Sequence, residues 1–328
     1  MTGILDSFGR SIDYLRISVT DRCNLRCIYC MPPEGVPRMS HSAILSYEEI
    51  RAVAQAAAEL GISKMRLTGG EPLVRADFPE LAAILSQIEG IRELSLTTNG
   101  ILLKDCALEL KQAGLSRINV SLDTLKADRF SNITRLGKLE DVLAGIEAAK
   151  EAGFYPVKIN TVVIRGINDD EVLDFARMTY ENGWHVRFIE LMPFKGVAEF
   201  VPSSELRQHI GLLGKLGPCP DSSGIAGSGP AMYYRLAGAK GTIGFISPLT
   251  ETSFCSRCNR MRLTPDGKLR PCLMGEDEID LRTPLRNNAS IEQLKRLILK
   301  AVASKPERHY LQGGNTRVVK RRMSQIGG

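Results

Sequence analysis

The sequence is poor in the features that nucleic-acid readers and membrane proteins need. It contains one Trp, and no array of stacking aromatics or repeated recognition helix accompanies its formal charge of +6. That charge suits an anionic ligand without implying nucleic acid. No apolar run reaches membrane-spanning length, and the opening MTGILDSFGRSIDYLRISVT carries charges throughout and lacks a signal-peptide core. A membrane partner is excluded on this reading, and a cytoplasmic location is expected. There is no GxxxxGK(S/T) run, which excludes a P-loop nucleotide site. No extra domain is legible before Leu15.

What is present is ordinary in bulk and unusual in its thiols. Hydrophobic residues make up 43% of the 328 positions and charged residues 24%, as in soluble globular enzymes. The length fits one large barrel-like domain, or a barrel with a smaller addition. Of the eight cysteines, six fall into two triads more than two hundred residues apart, while Cys106 and Cys219 stand alone as small core or surface residues.

The first triad is Cys23, Cys27 and Cys30, a C-x3-C-x2-C spacing directly after an early strand. In an intracellular-looking chain a disulfide scaffold is not expected. Three clustered thiolates can hold zinc or a cubane iron–sulfur cluster. Zinc sites usually take a fourth protein ligand, and none is evident here. The spacing therefore favours a [4Fe–4S] cluster with one iron lacking a cysteine. A partly filled zinc knuckle, or buried thiols that merely pack, are the plainer alternatives.

This segment, DRCNLRCIYCMP, resembles the signature of the radical S-adenosylmethionine (SAM) enzymes. The resemblance implies an open iron that chelates the amino and carboxylate groups of SAM. Reductive cleavage of the sulfonium then gives methionine and a 5'-deoxyadenosyl radical, which the protein must position and shield.

Along the chain, strands alternate with helices. Leu15 to Thr20 reads as the first strand, and Tyr47 to Leu60 as a helix with Ser46 as N-cap and Glu49 closing a capping box. Strands follow at Lys64 to Thr68, Leu94 to Thr98, Arg117 to Asp123, Val157 to Ile164 and Val186 to Leu191. Helices lie between them near Phe78 to Ile88, Ala107 to Ala113, Leu139 to Ala152 and Glu171 to Asn182. Such alternation implies parallel β/α units, with polar residues gathering at the C-terminal strand ends. The expected fold class is α/β, a partial (βα)6 TIM-like barrel over residues 1–215. Residues 216–328 form a C-terminal β-containing region that ends in a basic Gly-Gly tail with little to pack.

Five cations lie on or beside the expected barrel strands: Arg16, Lys64, Arg66, Lys158 and Arg187. Buried unpaired cations are costly, so each should meet an acid or an anionic ligand. A salt bridge at the rim accounts for any one of them. Five from different strands favour a polyphosphate.

Near the C-terminus, Cys255-x2-Cys258 and Cys272 make the second triad. Pro265-Asp266-Gly267 is a hairpin signal that would bring Cys258 and Cys272 together and put Arg260 and Arg262 on the face of Cys258. A zinc clip remains open, with His309 as a conceivable fourth ligand; a solvent-facing histidine is the plainer reading.

Two incomplete triads narrow the resemblance to the MoaA family of GTP 3',8-cyclases, which open molybdenum cofactor biosynthesis. It runs essentially end to end, through GGEP, TTNG, SLD, KINTVV, RFIE-LMP, CSRCNRMRLTPDGKLRPCL and the final Gly-Gly. It implies two [4Fe–4S] clusters, on Cys23, Cys27 and Cys30 and on Cys255, Cys258 and Cys272. Asp21, Arg22 and Asn24 would shape the first loop. Tyr29, Gly69, Gly70, Glu71, Thr97, Ser121 and Met192 would contact SAM. Read alone, the GGEP glycines equally fit a tight β/α turn, and Met192 fits core packing. Arg16, Lys64, Arg66, Lys158, Arg187, Arg260 and Arg262 would bind GTP, with Arg260, Arg262, Gly327 and Gly328 taking part in catalysis. A frayed terminus is the plainer reading of the tail.

The implied reaction removes hydrogen from ribose C3' of GTP, and the C3' radical attacks guanine C8 to give 3',8-cyclo-7,8-dihydro-GTP. The second cluster would anchor guanine. The implied partners are an electron donor such as flavodoxin or ferredoxin, a downstream cyclic pyranopterin monophosphate synthase, and a second copy in a homodimer. Two other readings stand beside this one. A radical SAM peptide maturase would need an open groove and a leader-recognition domain. A zinc-clip nucleic-acid-binding protein would be colourless and hold zinc.

Overall fold

The structure is a computed structural model that describes residues 3–193, 199–219, 229–309 and 321–327. The first strands are β1 (Ile4–Leu5), β2 (Ser11–Ile12) and β3 (Tyr14–Ser18), followed by helix α1 (Tyr47–Glu59). Repeating units follow: β4 (Lys64–Thr68), α2 (Phe78–Ser86), β5 (Glu93–Thr98), α3 (Leu103–Gln112) and β6 (Arg117–Ser121). Then come α4 (Ala127–Thr134), α5 (Leu139–Glu151), β7 (Val157–Val163), α6 (Val172–Glu181), β8 (His185–Glu190) and α7 (Ser203–Gly211).

The C-terminal part adds β9 (Leu216–Pro218), β10 (Met232–Leu236), β11 (Thr242–Ile246), β12 (Arg260–Leu263), β13 (Lys268–Arg270) and β14 (Ile279–Asp280). Helices α8 (Arg282–Arg286) and α9 (Ile291–Ala303) complete it.

Strands β3 to β14 form one 12-stranded sheet in the order β14-β13-β12-β3-β4-β5-β6-β7-β8-β11-β10-β9. The six expected parallel strands are its centre. Two more run parallel to them at the flanks, β12 beside β3 and β11 beside β8. Each belongs to an antiparallel ribbon of the C-terminal part, so chain remote in sequence extends both edges of the barrel sheet. The hairpin turn falls where Asp266-Gly267 placed it: Gly267 has φ +76°, and Arg262 pairs with Arg270.

Local signals carry through. Ser46 and Glu49 form the expected capping box on α1, and Ser290 and Gln293 form another on α9. The buried sides of the strands and helices make one continuous apolar core, including Leu15, Ile17, Leu67, Leu96, Val120 and Phe188. Helices α4 and α7, absent from the sequence reading, span eight and nine residues. Segments that short fall below the length at which periodicity marks a helix. The first strand ends at Ser18, two residues earlier than expected, while Val19 still donates to the Thr68 carbonyl at 2.9 Å. The tail is a clear correction. Residues 321–327 are packed: Ile326 is fully buried, and Arg321 pairs with Asp266 at 2.9 Å and Glu278 at 2.6 Å. Gly328 lies outside the described residues.

Helix α5 crosses the turn after β5 at a glycine. A Cβ on Gly145 would fall 2.2 Å from the Gly100 carbonyl oxygen, whereas one on Gly211 at the end of α7 would meet nothing within 4 Å. Helix propensity favours alanine at either site by up to about 1 kcal/mol, but forced overpacking costs about 1–3 kcal/mol. Gly145→Ala should therefore lower the urea unfolding midpoint while Gly211→Ala holds or raises it; equal gains would contradict the close crossing.

Candidate functional site

A cavity of about 310 Å³ is lined by all six triad cysteines: the first triad follows the C-terminal end of β3, whereas Cys255 and Cys258 precede the N-terminal end of the parallel strand β12. The first triad hangs on the loop after β3. Its backbone is tied to the C-terminal end of α4, with Arg26 donating to Thr134 and Ile28 to Ile133, each at 2.9 Å. Asn99 donates to Asn24 at 2.7 Å, and Met39 donates its N–H to Asp21 at 2.9 Å, which gives Asp21 and Asn24 their expected loop-shaping places. The second triad sits at the open end of the β12–β13 hairpin, with Arg260 reaching the Cys258 sulfur at 3.7 Å.

Burial pushes the Cys23 thiol up to about 11 and the Cys30 thiol up to about 12, with the neighbouring thiols adding to the rise at Cys30. Cys258 is the opposite case. Burial raises it, yet Arg260 and then Lys305 outweigh burial and hold it down to about 6. None of the eight cysteines forms a disulfide, and among the described residues no three His, Cys, Asp or Glu side chains converge on one metal ion. A cubane is far wider than a single ion, so its ligands need not converge as the four ligands of tetrahedral zinc must. The donor set of three soft thiols per loop fits such a cluster. His309 is 5% exposed, not solvent-facing, and its Nε2 lies 2.8 Å from the Pro248 carbonyl.

The GGEP glycines permit a close approach of backbone to backbone. A Cβ on Gly70 would stand 2.2 Å from the Arg22 carbonyl, and one on Gly69 would stand 2.8 Å from that of Thr20. The glycines let the loop lie on the backbone that leads into the first triad, with Gly70 and Glu71 N–H groups donating there at 2.7 Å. Glu71 is buried and accepts from Thr98 Oγ1 at 2.7 Å, Asn99 N at 2.6 Å and Leu73 N at 3.1 Å. Burial lifts its pKa to about 7 against those hydrogen bonds. Tyr29 donates to Asp123 at 2.6 Å, and burial lifts Asp123 to about 6.

Gly69, Gly70, Glu71 and Tyr29 nevertheless line the cavity, as do Thr97, Ser121 and Met192. Met192 also packs against the tail cluster around Ile326 and Met274.

The cations face the cavity in register. Arg262 pairs with Arg16 across β12–β3, and Arg16 with Arg66 across β3–β4, so three arginines stand side by side on three strands. Like charges directly opposite one another are destabilising. Arg187 projects from β8 on the far side, where Gly244 leaves it room: a Cβ there would be 2.9 Å from Arg187 Cγ. Among the described residues no carboxylate pairs with Arg66, Arg187, Arg260 or Arg262; their partners include Tyr14, Tyr233, the Cys258 sulfur and the Gly327 carbonyl. Arg187 Nε and Asn160 Oδ1, neighbours in register, are buried and without partners.

Lys64 and Lys158 stand further back, near the N-terminal ends of their strands. Lys64 pairs with Asp13 at 2.7 Å, and Lys158 lies 5.1 Å from the Tyr233 ring centroid. Neither lines the cavity itself.

The tail crosses this space. Gly327 has φ +80°, its carbonyl accepts from Arg262 at 2.5 Å, and a Cβ on it would meet Thr68 Cγ2 at 2.8 Å and Ser18 Cβ at 2.9 Å. The Ser324 N–H donates to the Cys30 sulfur. Several lining residues escaped the sequence reading: Tyr14, Asn119, Asn160 and Lys305. The first three alternate with Arg16 on β3, Ser121 on β6 and Lys158 on β7, a legible signal. Lys305 gave none, and His309, named only as a conceivable zinc ligand, lines the cavity as well.

Fold and site together define a radical SAM protein. Residues 17–179 match the Radical SAM superfamily, and residues 184–311 match the family described as Molybdenum Cofactor Synthesis C. In overall shape the chain is similar to SuiB of Streptococcus suis bound to S-adenosylmethionine, with TM-score 0.62 and 14% identity over 83% of this chain and 63% of that one, a likeness of fold alone. The GTP 3',8-cyclase of Pelotomaculum thermopropionicum is 53% identical over 329 residues, covering 98% of this chain and 99% of that protein. The GTP 3',8-cyclase of Moorella thermoacetica is 52% identical over 327 residues, with 98% and 99% covered. The chain belongs to the GTP 3',8-cyclase family.

The cation ring carries a pH signature. Burial, then Arg187, Arg117 and Arg66, push Lys158 down to about 6. A polyanion that reaches Lys158 favours its charged form, so binding at pH 7, where it is mostly neutral, should draw in most of a proton. Calorimetry with tripolyphosphate in buffers of different ionisation enthalpy should show about one more proton taken up by the wild type than by Lys158→Met. Equal uptake would place the anion away from Lys158.

Proposed function

We propose that this cavity binds GTP and SAM together, between two [4Fe–4S] clusters, and performs the 3',8-cyclisation of GTP that begins molybdenum cofactor biosynthesis. The observation that carries this reading is one cavity lined by both thiol triads and by Arg66, Arg187, Arg260 and Arg262, which pair with no carboxylate among the described residues. Cys23, Cys27 and Cys30 hold the cluster that binds SAM; Cys255, Cys258 and Cys272 hold the one that anchors guanine. When bound, these groups supply the reductive cleavage of SAM to the deoxyadenosyl radical that starts hydrogen abstraction at ribose C3'.

The chain's own residues do the rest. Arg16, Arg66 and Arg187 hold the triphosphate, with Lys64 and Lys158 extending the clamp toward the N-terminal strand ends, so remote binding energy orients the ribose. Thr97, Ser121, Met192, Tyr29 and the Gly69-Gly70-Glu71 loop line the SAM side. Arg260 and Arg262 stand where the base and the second triad meet. Gly327, packed on Ser18 and Thr68 without a side chain, keeps out solvent and stray hydrogen donors while C3' closes on C8, and Gly328 takes part in catalysis with it.

The reaction needs electrons, so the proposal includes a carrier such as flavodoxin or ferredoxin. The product passes to cyclic pyranopterin monophosphate synthase, and the chain works as a cytoplasmic homodimer. Among the described residues no helix is long and apolar enough to cross a membrane.

Anaerobic incubation with GTP, SAM and a reductant, read by mass spectrometry, tests the reading. Wild type should yield 3',8-cyclo-7,8-dihydro-GTP. Cys27→Ala should lose 5'-deoxyadenosine and product alike. Cys258→Ala should still cleave some SAM but lose at least about 100-fold in product, because the guanine anchor is gone. Undiminished cyclisation by Cys258→Ala would refute the division of roles.

A further inference from the structure

The segment after α9 contacts the second thiol set at several points. Lys305 is 3% exposed, and its Nζ donates to the carbonyl of Arg260 at 2.8 Å and to that of Pro271 at 2.6 Å. Arg260 lies two residues after Cys258, and Pro271 immediately precedes Cys272. The β12–β13 ladder pairs Arg262 with Arg270 and Leu263 with Leu269, short of both thiols. Past that ladder, the two arms that carry Cys258 and Cys272 are joined through one ammonium group.

Cys255 is fixed from the same segment by other means. Arg10 Nη1 donates to the Cys255 carbonyl at 3.0 Å and to that of Glu307 at 3.0 Å, and Nη2 to that of Pro306 at 2.7 Å. The charge of Arg10 is answered by Asp6 at 2.6 Å. Lys305 has no such carboxylate among the described residues. Both of its acceptors are neutral carbonyls, and a buried cation is poorly compensated by carbonyls alone. It lines the cavity beside Cys258 and Cys272. An ammonium has three N–H donors, so one remains for a negatively charged neighbour.

We propose that Lys305 is the positioning residue of the second triad. It fixes the spacing of Cys258 and Cys272, and its charge raises the reduction potential of the cluster they hold. The proposal rests on the reading of that triad as a cluster site. A buried positive charge stabilises the more negative, reduced state, so neutralising it must move the potential to more negative values.

The full chain is purified anaerobically as wild type, Lys305→Met, Lys305→Gln and Lys305→Arg. Iron per chain and thermal melting are measured, and each cluster's midpoint is titrated by electron paramagnetic resonance with the first cluster's signal as internal reference. Wild type should hold about eight irons, two cubanes. About four irons in the wild type, or zinc in their place, would overturn the cluster reading itself. Given eight, Lys305→Met should either drop toward half the iron or keep it with a more negative second midpoint. Lys305→Gln, which keeps a donor and loses the charge, should show the same negative shift, while Lys305→Arg should stay near wild type. Wild-type iron and an unmoved second midpoint in a folded Lys305→Gln or Lys305→Met chain would overturn the proposal. If Lys305→Met fails to fold, the Gln and Arg variants decide it by the same criterion.

Discussion

Arginines aligned on adjacent strands are the constraint around which this molecule is arranged. Arg262, Arg16 and Arg66 share one register, with Arg187 projecting from the other side. Burial, and then Arg66, Arg260 and Arg187, lower Arg16 to about 10 against the opposing pull of Tyr14. Buried cations so placed call for compensating charge. Tyr14 contributes a phenol to the row, and burial's upward pull on it is outweighed by Arg66 and Arg16.

The buried acids could have quenched that field, and they are employed elsewhere. Glu71 is committed to the N–H groups and hydroxyl at the end of β5. Glu171 accepts from Thr124 Oγ1 at 2.6 Å and Leu125 N at 2.7 Å, and Glu190 from the N–H groups of Ser203, Leu249 and Thr250. Each carboxylate satisfies backbone donors where a strand gives way to its loop. The acids thus fix the rim of the barrel, and the cations are left to a ligand.

Two pieces of late chain then close the site. The tail is held at the hairpin turn by Arg321 on Asp266 and runs to Arg262 by way of the Cys30 sulfur. The stretch from Lys305 to His309 seats the second triad, with the His309 N–H donating to the Cys255 sulfur. Both segments make their contacts with residues of the sheet remote in sequence, so their positions depend on the sheet being formed.

Much of this was written in local order. The strands and most helices follow from period-two and period-3.6 patterning, Ser46 with Glu49 and Ser290 with Gln293 set helix starts, and Asp266-Gly267 sets the hairpin. Those signals depend on a few adjacent residues, and they held. The triads were legible because thiol spacing is a chemical statement in itself. What chain order could not express was adjacency between remote segments: β12 and β11 joining the edges of the barrel, Gly70 pressed on Arg22, His309 turned inward on Pro248, and residues 321–327 packed where composition suggested a frayed end. Lys305 is the sharpest case. Nothing around it in the sequence distinguishes it from any surface lysine, because its meaning lies in two carbonyls that only the folded sheet brings within reach of one ammonium group.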